Sequence, residues 1–159
     1  MKAESKRSVR IMLQWLLSAA TVLMAAALDL PENVKGIIAD CPYSSPGDII
    51  RKVARDMHMP DRLAWPFVKI GGRVYGGFDV DEMDAARAVK QATVPILIIH
   101  GESDSFVPCE MSDIVSENPA LVMRYTFPGA DHGFSYLVDT PRYKKIVTAF
   151  AEKALAPKA

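Results

Sequence analysis

Two short stretches of the chain hold side chains able to move protons. One is His100-Gly101-Glu102-Ser103-Asp104, with Val107-Pro108 just beyond it; the other is Pro128-Gly129-Ala130-Asp131-His132-Gly133. If both close neighbouring strands, Asp104 and His132 come within hydrogen-bond reach. There the carboxylate would fix the imidazole tautomer and stabilise its protonated form. Other chemistries find less support. His58, His100 and His132 lie in separate segments without metal-ligand spacing, so no metal site is expected. Gly71, Gly72, Gly76 and Gly77 lack the lysine of a phosphate loop and follow no strand, so they read as a mobile turn. Cys41 and Cys109 make no Cys-x-x-Cys and read as small buried hydrophobes.

The elements that must position Asp104 and His132 follow from hydrophobic patterning. Val94–His100 is almost wholly apolar and is the strongest strand signal; Val34–Cys41 and Leu121–Phe127 are two more. Ser45-Pro46-Gly47-Asp48 has the form of a capped helix start, with Ile49, Ile50, Val53, Ala54 and Met57 following at helical spacing. Further helices are expected over Asp81–Lys90, from Pro108 through Ile114 and Val115, and from Thr140 with Tyr143, Ile146, Val147 and Phe150 on one face. Residues 61–80 mix aromatics, prolines and glycines and read as a small irregular cap. Strand and helix alternate, which predicts a parallel sheet between helices, with right-handed crossovers. Ligand chemistry then belongs beyond the carboxyl ends of the strands, in the loops at 40–45, 101–109 and 128–135.

His-Gly-x-x-Asp-x-x-Val-Pro, then Pro-Gly-Ala-x-His-Gly, then an amphipathic helix resembles the α/β-hydrolase superfamily, most of all its bacterial peptidase- and esterase-like branch. Residues 19–24 and Asn33–Pro46 are similar to the same branch just after its nucleophile elbow, so the resemblance spans about residues 19–155. It implies a partial α/β-hydrolase fold: a mostly parallel sheet, flanking helices and a small cap over about 46–80. It also implies that Asp104 is the acid and His132 the general base of a Ser…Asp…His machine acting on an ester, thioester or amide. No cofactor and no metal belong to that chemistry, and water is the second substrate.

The chain departs from the family pattern upstream. A Gly-x-Ser-x-Gly elbow should directly precede Ala19-Ala20-Thr21, but the sequence there is Gln14-Trp15-Leu16-Leu17-Ser18. Leu16 stands where the serine belongs. A shift of two would bring in Ser18, with Leu16 crowding the turn that small residues normally permit. Residues 1–18 do not resemble the family, and they read as helical and basic. A truncated or frame-shifted gene whose hydrolase sequence resumes near Ala19 would account for this. Val34–Cys41 would then be an unpaired sheet edge through which the chain self-associates. The domain division expected is 1–18 outside the family, 19–155 a truncated hydrolase domain, and 156–159 a tail.

Composition limits the remaining possibilities. The 159 residues suit one domain, and half of them are hydrophobic. Lys plus Arg equals Asp plus Glu at 19 each, which argues against a nucleic-acid partner. Lys2, Lys6, Arg7 and Arg10 precede an uncharged run from Ile11 to Leu28 that ends in small residues, the pattern of an export signal or anchor. The family resemblance instead makes Val22–Leu28 a buried helix and the chain cytoplasmic. Two functions stand: a serine hydrolase left inactive by its missing nucleophile, or a non-catalytic binding remnant with a hydrolase-derived fold.

Overall fold

The computed structural model describes residues 10–14, 20, 24, 27–77, 79–82, 84–114 and 117–156, with the side chains of 10–14 and of residue 61 excepted. Four parallel strands form one sheet in chain order: β1 (Arg10–Gln14), β2 (Val34–Asp40), β3 (Ile96–Gly101) and β4 (Val122–Phe127). Successive side chains of a strand face opposite sides of the sheet. Ile37, Ala39, Ile96 and Ile98 accordingly meet Val89 and Val122 on one side. Ile38, Leu97 and Ile99 meet Phe127, Tyr143 and Phe150 on the other. Every residue of β3 is buried, which explains its uninterrupted apolar run. Each such isoleucine removed from water contributes roughly 1.5–3 kcal/mol.

β1 corrects two expectations. Arg10–Gln14 is a strand rather than part of a helix, and it pairs with β2 from Arg10↔Val34 to Gln14↔Ala39. β2 is therefore an inner strand. A short apolar run such as Ile11-Met12-Leu13 fits a buried strand and a helix turn equally well, so periodicity alone misassigned it. The positions on which the nucleophile question turns, Leu16 and Ser18, lie outside the described residues.

The helices follow their capping chemistry. Helix α1 (Pro46–Asp56) begins where the Ser45 hydroxyl accepts the Asp48 N–H at 3.1 Å, as its sequence predicts. The cap is not irregular: α2 (Asp61–Gly71) continues into a π-helical turn (Gly72–Gly76), and Gly77, at φ +67°, stops it. Pro66 sits inside α2, where its missing N–H made a helix look unlikely from sequence. Helix α3 (Ala85–Lys90) starts later than expected because Asp84, not Asp81, accepts the Arg87 N–H. The expected helix after Pro108 is only a 3₁₀ turn (Cys109–Ser112). A short helix α4 (Ser135–Val138), not anticipated, precedes α5 (Thr140–Leu155), which Asp139 caps by accepting the Arg142 N–H. No helix among the described residues is long and apolar enough to cross a membrane.

The tightest approach in the sheet is at Gly101, the last residue of β3. A Cβ there would lie 2.3 Å from the Ala130 carbonyl oxygen and 2.9 Å from that of Asp131. Only glycine lets the β4 loop lie against the end of β3, and the Ser103 N–H then donates to Ala130 O at 3.0 Å. Gly101→Ala is expected to cost about 1–3 kcal/mol or more in urea unfolding. An unchanged midpoint would show that the two loops are not packed this way.

Candidate active site

The carboxyl ends of β2, β3 and β4 bring Asp40-Cys41, Asp104 and His132 to one edge of the sheet. The loop after β3 turns back on itself around the Asp104 side chain, whose Oδ1 accepts the N–H groups of Phe106 at 3.0 Å and Val107 at 2.7 Å. Its Oδ2 faces His132 Nδ1 at 2.8 Å and His100 Nε2 at 3.2 Å. The Asp104 carboxylate is buried, and His132 is mostly so. Burial alone would raise the Asp104 pKa. The hydrogen bonds from His100, His132 and the Val107 N–H outweigh it and hold the carboxyl well below the usual carboxylate range.

An ionised carboxylate only accepts, so His132 Nδ1 carries the proton it donates, and Nε2 is left with the lone pair. The same logic puts a proton on His100 Nε2, which also faces Val107 O at 2.9 Å. The bond to Asp104 raises the His132 pKa above the ordinary imidazole value, against the downward pull of burial.

Asp131, the variable position of the second short pattern, positions both loops. Its Oδ1 accepts the Ser105 N–H and the His132 N–H, each at 2.8 Å, and the Ser105 hydroxyl at 3.0 Å. These bonds, first among them the Ser105 N–H, also hold its pKa low. Sequence reading passed over this residue because its role depends on two loops being adjacent. Phe106 sets its ring edge-on to His132, with centroids 5.3 Å apart.

Cys41 was read only as a small hydrophobe, but it lies in the site. Its φ of +51° is a left-handed conformation rare outside glycine and asparagine. Its Sγ accepts the Gly133 N–H at 3.4 Å and lies 3.4 Å from Asp40 Oδ1. Among the described residues, donor atoms of Cys41, Asp104 and His132 lie within 4.8 Å of one another. They fit a metal ion poorly. A ligating thiol must lose its proton, and burial together with the Asp40 carboxylate pushes this one far up. Asp104 and His132 already use each other as partners. Behind Cys41, burial raises the Asp40 pKa, although its Oδ2 accepts the Tyr143 hydroxyl at 2.9 Å.

Beside His132 opens a cavity of about 370 Å³ with largely apolar walls. Its walls come from α1 (Ile49, Val53), α2 (Trp65, Val68) and the site itself (Cys41, Phe106). Arg51 stacks on the Trp65 ring at 4.1 Å and ties the two cap helices together.

Asp104→Ala would leave two imidazoles and two backbone N–H groups facing a void. It should cost about 3–5 kcal/mol of unfolding free energy. The sign with pH follows from the two shifts. The lowered Asp104 pKa contributes stability that is present above about pH 4 and lost as pH falls through the folded value. The raised His132 pKa contributes stability that is full below about pH 6.5 and lost as pH rises through its folded value. The gap between native and variant stability, followed by urea unfolding, should therefore be widest at about pH 4–6.5. A gap independent of pH would contradict the ion pair.

No protein-family model and no curated protein sequence matches this chain. Solved structures do. A puromycin-hydrolysing peptidase of Mycobacterium tuberculosis is 19% identical with a TM-score of 0.63, the match covering 88% of this chain and 21% of that one. An esterase of Pyrococcus furiosus is 18% identical, TM-score 0.58, over 85% of this chain and 50% of that one. The esterase domain of a Rhodothermus marinus protein is 16% identical, TM-score 0.62, over 90% and 59% respectively. The chain thus spans between about a fifth and three fifths of the length of these proteins. At such identities the likeness is one of architecture, and it agrees with the parallel sheet and the strand-end loops described above: the chain is built on the α/β-hydrolase fold.

Proposed function

We propose that this domain carries the acid and base of a hydrolytic site for an ester, thioester or amide, with His132 as general base and Asp104 as its orienting carboxylate. The observation that supports this most is the 2.8 Å hydrogen bond from His132 Nδ1 to Asp104 Oδ2 beside an apolar cavity. With Nδ1–H committed to Asp104, the lone pair on Nε2 can take a proton from an attacking hydroxyl. The buried carboxylate stabilises the imidazolium that results, and the same proton then passes to the leaving group. Water, activated by the same nitrogen, would hydrolyse the acyl intermediate. No cofactor is needed for any of these steps.

The nucleophile is the weak point of the chemistry. The sequence resemblance puts Leu16 in its place, and leucine has no nucleophilic atom. Loss of the serine alone costs on the order of 10⁶ in turnover in a well-studied serine protease. We therefore expect this chain to turn substrate over slowly or not at all. The second reading is a non-catalytic binding domain. The cavity favours it, since about 370 Å³ falls within the range of small-molecule pockets.

Purified chain should hydrolyse short acyl esters no faster than a His132→Ala control, and a fluorophosphonate probe should leave it unlabelled. Rapid turnover and labelling that both vanish on Ser18→Ala would overturn the inactive reading and install Ser18 as nucleophile. Rapid turnover that His132→Ala leaves unchanged would remove His132 from the chemistry altogether.

A further inference from the structure

Helix α2 is apolar on two sides. Ala64, Trp65 and Val68 roof the cavity next to His132. On its other side Leu63, Phe67, Ile70 and Val74 recur at spacings of four, three and four, and they are 69, 75, 59 and 69% exposed. Tyr75, at the end of this row, is 92% exposed. An apolar face of a helix is ordinarily turned to a surface that covers it. Here one side is covered by the body of the domain, and the other meets solvent.

We propose that this outward face is a homodimer interface, in which α2 packs against α2 of a second copy about a two-fold axis. Size is the first support. At these exposures the side chains from Leu63 to Tyr75 offer on the order of 700 Å², close to the ~800 Å² that each partner contributes to a standard interface. The largest apolar patch of a typical monomer is about 300–600 Å².

Charge is the second support, and it selects the occupant. A two-fold contact sets a surface against itself, so a patch of one sign would repel its copy. Lys69 of α2 pairs with Asp81, and Arg73 of its π turn pairs with Asp79, so these two cations are compensated. The chain as a whole has a formal net charge of zero. An anionic membrane surface draws in uncompensated basic residues instead. The neutralised flanks favour a second copy over a lipid surface. Because the opposite side of α2 roofs the cavity, such a dimer would also hold that roof in place.

Sedimentation velocity on the full chain across micromolar concentrations tests this. A reversible dimer is expected, with Phe67→Glu weakening it about thirtyfold or more, while the thermal transition scanned at concentrations where both proteins are monomeric stays unchanged, since this side chain is exposed. Ile70→Ser should weaken it less, which guards against a single misfolded variant. A monomer at every concentration would overturn the proposal. So would a dimer untouched by both substitutions, which would place self-association elsewhere, as at a sheet edge. Co-sedimentation of monomeric chain with phosphatidylserine vesicles, lost on Phe67→Glu, would assign the face to lipid instead.

Discussion

The site depends on a carboxylate that is buried and still charged. Asp104 tolerates burial because four donors converge on it: two N–H groups of its own loop and two imidazole nitrogens. Such an arrangement is weak evidence for stability, since removing ions from water costs about as much as their attraction returns. It is strong evidence for geometry. The carboxylate can be satisfied only if the loops after β3 and β4 lie side by side, which in turn requires parallel strands in register and no side chain at Gly101. The core layers above and below β3 and the contact at Ala130 therefore act through this one group.

The cap imposes a different constraint. Helices α1 and α2 place Ile49, Val53, Trp65 and Val68 over the site, so the imidazole of His132 looks into an apolar space rather than open water. Hydrogen bonds and charges act more strongly in such surroundings than in solvent. The same enclosure suffices for simple binding, and it serves catalysis only with a nucleophile beside His132. Whether the domain does one or the other therefore depends on the residues between β1 and the helical Ala20, not on the cap.

Much of this was legible in the sequence. Val94–His100 announced an inner strand because every position before the histidine is apolar, and Ser45-Pro46-x-Asp48 announced a helix start because its capping bonds are local. Asp104 and His132 could be paired because each follows a strand directly. What the sequence concealed were properties of non-local contact. Ile11-Met12-Leu13 carries no period of its own, and only the ladder to β2 makes it a strand. Asp131 and Cys41 have ordinary types at ordinary positions; their importance comes from Ser105, Gly133 and Asp40 brought beside them. Leu63, Phe67, Ile70 and Val74 do carry a helical spacing, but Pro66 and the glycines beyond concealed it.

Everything at the site turns on His132 being held by an ionised Asp104. Titration of the His132 ring by NMR measures this directly. The ring should show a pKa above the ordinary imidazole value and a strongly downfield Nδ1–H resonance, and both should be lost in Asp104→Asn. An ordinary imidazole titration that Asp104→Asn leaves unchanged would contradict it.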